Sequence, residues 1–369
     1  MPSTGGGAGF AGVPAFGGVG FWSHLDRRAL FERGDVYRVG FDDERAARPP
    51  VRVAVLGAGG VAQSKYLPAL AQLRTRWEPV ELVAVSTLDA RQGEKLAAIW
   101  GVPAYADSGA LLRDRAPDAV IVTSSDDAHP ELVLAALEAG AHVLVEKPIA
   151  RSLDHAAGMT RAAEHADRVL LTTCNKRWSP PYAEARRLLD AGDVATPRLL
   201  AARFVLGYDY VDLLPSGTVH LFDLARHFLG DVKRLTAVAV HGAPQSLAVT
   251  LEFASGAVGT VLTSDAALSL HPWERVEIFG DGGWLAVDDQ WTLTLHPAEY
   301  EPARVWAPVV PSTLLSAEEW GGWVGMLEAF LDAVRGGARP PADDGYRALE
   351  LVVATQRSLD ERTPVELPL

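Results

Sequence analysis

The spacing of apolar residues changes rhythm twice along the chain. Residues 1–20 are almost wholly Gly, Ala, Val, Phe and Pro and hold neither a helical nor a strand period, so they read as a flexible, weakly apolar tail. Between 21 and 50, apolar residues recur at Phe21, Trp22, Leu25, Leu30, Phe31, Val36, Tyr37, Val39 and Phe41, which predicts partial order up to Pro49-Pro50. At Val51 a different pattern begins. Val51-Arg52-Val53-Ala54-Val55-Leu56 is a short β-branched run that predicts a buried parallel strand. It leads into Gly57-Ala58-Gly59-Gly60-Val61-Ala62 and a helix-like stretch through Leu73. Strands are expected again at 81–85, 118–123 and 141–145. Between them, Asp89 stands at an N-cap position before a helix through Ile99, and a helix over 130–139 ends at Gly140. Strands alternating with helices predict βαβ units in a parallel, doubly wound sheet of the Rossmann type.

The second half alternates polar and apolar residues. Strand-like segments fall at 199–204, 235–241, 247–253, 257–264, 274–279, 284–287 and 291–295, separated by turns such as Ala254-Ser255-Gly256 and Asp281-Gly282-Gly283. That pattern predicts a largely antiparallel open sheet with one face packed and one available. Helices over about 319–335 and 344–360 close the chain. The expected division is an extension at 1–50 and domains at 51–172 and 173–369, an α/β protein throughout.

Composition narrows the classes of function. With 369 residues the chain suits two domains of ordinary size, and 48% hydrophobic with 22% charged residues reads as globular. A formal charge of -13 excludes nucleic acid and anionic membrane surfaces as natural partners, since both would repel it. No apolar run reaches 18 residues, so no transmembrane helix is expected. Arg27-Arg28 is followed by Glu32, Arg33 and Asp35 rather than an apolar run, and no basic start precedes residues 1–20, so no export signal is expected. The single cysteine, Cys174, excludes an internal disulfide framework and a cysteine-cluster zinc site. A reducing, cytoplasmic compartment is the expectation.

The chemistry starts at the glycines. In Gly57-x-Gly59-x-x-Ala62 the first Gly permits a tight turn and the second lets a pyrophosphate approach the backbone. Small Ala62 allows close helix–strand packing, while Gly60 and Val61 open a helix whose N-terminus attracts anions. At the end of the second strand, where an acid would bond the ribose of NAD, the chain has Ser86-Thr87-Leu88. Hydroxyls there, with Arg91 close by, favour NADP(H), leaving NAD(H) possible. His220, Asp223 and His227 share one side of a probable helix, but a metal site is not expected from them. Tryptophans 273, 284, 291, 306, 320 and 323 fit core or interface roles better than sugar stacking.

Later motifs extend the picture. Gly140-Ala141-His142-Val143-Leu144-Val145-Glu146-Lys147-Pro148, taken with the glycine turn, with Asp118–Ser125 and His129, and with Asn175-Lys176-Arg177-Trp178-Ser179-Pro180, closely resembles the glucose–fructose oxidoreductase/inositol dehydrogenase family over residues 51–369. The resemblance implies a Rossmann domain for a nicotinamide cofactor and a second domain for substrate binding and oligomerisation. It implies a small sugar-like or cyclitol-like alcohol or ketone as substrate, and a homo-oligomer, dimer or tetramer. It places Lys147 as catalytic acid/base, and Ser124, Ser125, His129, Glu146, Asn175 and Arg177 along the cofactor. Lys147, Arg177, Tyr208, Ser216, His220 and Asp223 would face substrate, with His220 as the second catalytic group. The family's usual aspartate four residues before the histidine is here Ser216. Three readings follow: His220 serves alone, a neighbour such as Tyr208, Asp209, Tyr210 or Asp212 replaces the acid, or the chemistry is altered. Elimination, epimerisation, imine reduction and a non-catalytic scaffolding role stay open as alternatives to a biosynthetic ketoreductase.

Overall fold

The computed structural model describes residues 48–76, 78–207, 212–266, 273–297, 301–307 and 317–369. The expectations for residues 1–47, and for Tyr208, Asp209 and Tyr210, lie outside the described residues.

Valine, alanine and leucine runs with no polar face form the first sheet, because a strand covered on both sides must be apolar throughout. Its strands are β1 (Val51–Leu56), β2 (Val80–Ser86), β3 (Ala104–Tyr105), β4 (Ala119–Val122), β5 (His142–Val145) and β6 (Leu170–Thr172). All pair in parallel, in the order β3-β2-β1-β4-β5-β6. The order reverses between β1 and β4, and a crevice for ligands opens at the carboxyl ends of the strands at such a point. The glycine turn sits there. Helices α1 (Leu67–Thr75), α2 (Ala90–Trp100), α3 (Ser108–Arg115), α4 (His129–Glu138) and α5 (Leu153–His165) connect the strands. Asp89 caps α2 as expected, accepting from the amides of Arg91 and Gln92.

After α6 (Pro180–Asp190) the chain builds the second sheet: β7 (Pro197–Val205), then α7 (Val219–Leu229), β8 (Val232–Val240), β9 (Ala243–Phe253), β10 (Val258–Ser264), β11 (Trp273–Gly280), β12 (Gly283–Asp288), β13 (Thr292–Pro297), β14 (Arg304–Trp306) and, at the end, β15 (Val365–Glu366). Among the described residues the order is β14-β13-β12-β11-β7-β10-β9-β8-β15. The pairs are antiparallel except β7 with β10, where Leu199 faces Val258 and Phe204 faces Thr263. The sheet is therefore mixed and mostly antiparallel.

The alternation places Leu200, Ala202 and Phe204 of β7 and Val249, Leu251 and Phe253 of β9 in the core. The final helices α8 (Ala317–Trp320), α9 (Trp323–Val334) and α10 (Asp344–Glu361) complete the packing. Helix α9 returns to the first sheet and packs on α1, with Val324, Leu327, Phe330 and Leu331 buried. The sequence predicts one helix over 319–335; the structure breaks it at Gly321-Gly322. Gly322 adopts φ +86°, and any side chain there would strike the backbone of Asn175, Trp178 and Ser179. A close approach to that loop, not a propensity, ends α8.

Candidate active site

Gly57 has φ +80°, and a Cβ on it would lie 2.6 Å from the backbone of Ser124, so only glycine fits. Its amide bonds the Ser86 carbonyl at 3.1 Å, and its carbonyl accepts from the Thr123 hydroxyl at 2.9 Å. Gly60 has no atom within 4 Å of where a Cβ would be, leaving its face open. Val61 is exposed and Ala62 is buried against the sheet. Residues 60–75 are continuously helical, through a π-helical turn at Ala62–Tyr66. An open glycine face at a helix N-terminus fits a pyrophosphate.

The end of β2 corrects one expectation. The Ser86 hydroxyl is buried, accepts from the Gly57 amide at 3.3 Å and shares a hydrogen bond with Ser108 at 2.9 Å. It supports the glycine turn and is not available to a 2′-phosphate. Thr87 remains at the edge, donating to Gln92 at 3.1 Å, and Arg91 is exposed. The Asp89 carboxylate is engaged in capping α2.

Beyond β5 the chain presents Glu146 and Lys147. Glu146 accepts from the Tyr66 hydroxyl at 2.6 Å and from the Lys147 amide at 3.0 Å; the Thr173 hydroxyl accepts from that same amide at 3.0 Å. Burial and the Glu146 charge raise Tyr66 well above the usual phenol range, so it stays a donor. Held at its backbone, Lys147 sends its half-buried ammonium to the Ser216 carbonyl at 3.1 Å.

Ser216 rides on a π-helical turn, Leu214–Thr218, that runs directly into α7. His220, on the first turn of α7, is buried, and its Nδ1 meets no partner among the described residues. Burial, then the charges of Lys147 and Lys176, push its imidazole well below the usual range. A neutral ring thus stands by Lys147.

Several candidates turn out to build the site rather than face into it. Arg177 was expected to hold cofactor or substrate, and Asp223 to face substrate. Arg177 instead clasps Asp223 with Nε at 2.6 Å and Nη2 at 2.5 Å, and gives Nη1 to Asp344 at 2.7 Å. Both side chains are consumed, because a buried charge must be paired. Asn175 donates to the Gly321 carbonyl at 2.6 Å and so anchors the α8–α9 break. His129, fully buried, lies 3.0 Å from the Pro148 carbonyl and 3.2 Å from that of Ser124, linking the two loops at the strand ends. Ser124 is half-buried and Ser125 exposed at the mouth of β4. Tyr208 lies outside the described residues.

A group that sequence reading missed is Lys176, paired in the interior with Glu274, which also accepts from Tyr182 at 2.8 Å. Lys176 also lies over the Phe204 ring at 5.1 Å. The legible signal was Glu274, a carboxylate at an inward position of β11 in line with Val276 and Ile278. A cavity of about 720 Å³ adjoins Pro148 and Ser216 and is walled by Arg151, Asp212, Leu349 and Val352. Lys147 and His220 do not line it.

Comparison with known proteins agrees with this architecture. Residues 51–173 match the model of an oxidoreductase family's NAD-binding Rossmann fold, and residues 214–367 match that family's C-terminal α/β domain. Inositol 2-dehydrogenase 1 of Saccharopolyspora erythraea is 30% identical over 86% of this chain and 97% of its own length. Myo-inositol 2-dehydrogenase of Thermotoga maritima is 27% identical over 86% and 98%. D-apiose dehydrogenase of Paraburkholderia graminis is 27% identical over 78% and 83%. Among solved structures, a probable dehydrogenase from Thermotoga maritima superposes with a TM-score of 0.72 at 25% identity, covering 85% of this chain and 98% of that one. A levoglucosan dehydrogenase in complex with NADH and L-sorbose shares the fold, with a TM-score of 0.79 at 19% identity over 87% and 100%. Among the described residues no helix is long and apolar enough to cross a membrane.

Proposed function

Because the chain belongs to the oxidoreductase family formed by an NAD-binding Rossmann domain and a C-terminal α/β domain, we propose that it moves a hydride between a nicotinamide cofactor and a secondary alcohol or ketone of a sugar-like or cyclitol-like substrate. The observation that carries this reading is the Lys147 ammonium, fixed at 3.1 Å on the Ser216 carbonyl beside neutral His220, at the carboxyl end of β5. Gly57, Gly59, Gly60, Val61 and Ala62 would hold the pyrophosphate, and Ser124 and Ser125 would run along the cofactor. When bound, the nicotinamide supplies or accepts the hydride. Lys147 gives a proton to the substrate oxygen in reduction and takes it back in oxidation. His220, kept neutral, bonds a substrate hydroxyl without adding charge. Glu146, Asn175 and Arg177 hold the loops that aim these groups.

The finer reading favours NADP(H) and a reductive, biosynthetic direction, with NAD(H) accepted. Thr87 stands where an acid would face the ribose, Asp89 is occupied as a cap, and Arg91 is free to meet a 2′-phosphate. The proposed assembly is a homo-oligomer through the outward face of the second sheet. One experiment tests the enzymatic reading. Nicotinamide fluorescence is followed while NADPH and then NADH are titrated into wild type and Lys147→Ala, and both are assayed on keto-sugars and cyclitols. The expected result is tighter NADPH binding, intact in the variant, with turnover at least 100-fold lower. Full turnover in Lys147→Ala overturns the reading; tighter NADH reverses only the cofactor preference.

A further inference from the structure

The cations packed behind Lys147 are each matched by acids. Lys176 has Glu274, Arg177 has Asp223 and Asp344, and Arg226 has Asp231 and Asp344. Lys147, which shares His220 as a neighbour with Lys176, meets only the neutral Ser216 carbonyl. The adjacent acid, Glu146, is turned to Tyr66 and to the Lys147 amide. His220 is neutral and brings no negative charge. A half-buried ammonium with one neutral acceptor bears the cost of leaving water without a counter-charge. Two of its three N–H donors remain to be used.

We propose, resting on the dehydrogenase reading above, that the missing counter-charge arrives with the substrate: the site takes a polyhydroxylated acid whose carboxylate pairs with Lys147. One remaining N–H serves the reacting oxygen and the other the carboxylate. Ser216, whose backbone carbonyl touches the ammonium, carries a neutral side chain at this point of the turn. A single ammonium matches a monoanion, so a carboxylate suits the site better than a doubly charged phosphate.

The test uses the full chain saturated with oxidised cofactor. Glucuronate, glucose, myo-inositol and glucose 6-phosphate are titrated calorimetrically, and the same panel is assayed for turnover. Wild type is expected to bind glucuronate at least tenfold tighter than glucose or myo-inositol. Ser216→Asp, which supplies the acid, removes that margin, and Ser216→Asn, similar in size but neutral, keeps it. The proposal is overturned if glucuronate binding is absent or no tighter than that of glucose, if glucose 6-phosphate binds more tightly, or if the two variants behave alike. The two readings fail separately. Acid preference without turnover on any compound sinks the dehydrogenase reading alone. Turnover of neutral sugars without acid preference sinks only the carboxylate.

Discussion

Lys147 and Arg177 carry the same charge in the same region, yet their partners give them opposite roles. Arg177 meets two carboxylates and becomes part of the frame; Lys147 meets a carbonyl and keeps donors to spare. Histidines divide in the same way. His227, half-buried near the end of α7, has its pKa pushed down to about 3 by burial and then by the charges of Arg177 and Arg186. His220 is also held low. Below about pH 6.5 the unfolded chain takes up protons that these folded rings refuse, so stability falls as the solution is acidified. It is full above that pH and is lost progressively toward about pH 3 for His227. Urea unfolding at pH 7.5, 6.0 and 5.0 should show the decline, at about 1.4 kcal/mol per pH unit for each histidine once below its unfolded value. His227→Gln should flatten that slope by about one histidine's share; an unchanged slope would mean that His227 titrates normally in the folded protein.

At the scale of elements, the site hangs on short irregular segments rather than on long helices. The π-helical turn Leu214–Thr218 presents the Ser216 carbonyl to Lys147, and Gly217 makes it possible. A Cβ on Gly217 would lie 2.6 Å from Leu213 Cδ1 and 2.7 Å from Phe204 Cε1. Gly217→Ala must therefore displace the Leu213 and Phe204 side chains or the turn itself, and a shift of the turn moves the carbonyl that aims the ammonium. Turnover should fall at least tenfold, since a displacement near 1 Å is costly to catalysis, while cofactor affinity read by fluorescence stays within about twofold. Normal turnover in this variant would show that the carbonyl does not aim the lysine. The break at Gly322 follows the same logic: a glycine inside a helical pattern marks where two backbones approach. Sequence shows such a glycine but not the surface that it meets.

At the scale of the whole molecule, one face of the second sheet is uncovered among the described residues. Leu199 of β7 faces Val258 of β10, while Ala248 of β9 faces both Leu262 of β10 and Val238 of β8. Leu199, Val238, Val258 and Leu262 are exposed on it. An apolar patch crossing several strands marks an interaction surface, which supports the proposed homo-oligomer. Leu262→Arg should lower the mass in sedimentation velocity to that of one chain, with unchanged circular dichroism; an unchanged mass would place the contact elsewhere.

The parallel sheet, the glycine turn and the mostly antiparallel second sheet were legible because burial on two faces or one imposes its own spacing on a strand, while the parallel pairing of β7 with β10 was not. Glu146, Lys147 and His220 were singled out in the sequence by a resemblance to a family's ordered motifs. What the sequence could not decide was partnership. That Ser86 would turn inward, that Arg177, Asp223 and Asn175 would be spent on the frame, and that Lys176 would find Glu274 depends on contacts between residues 22 to 167 positions apart. Periodicity along a chain records which face is wet. Only the folded packing decides which charges meet, and so which one is left for the substrate.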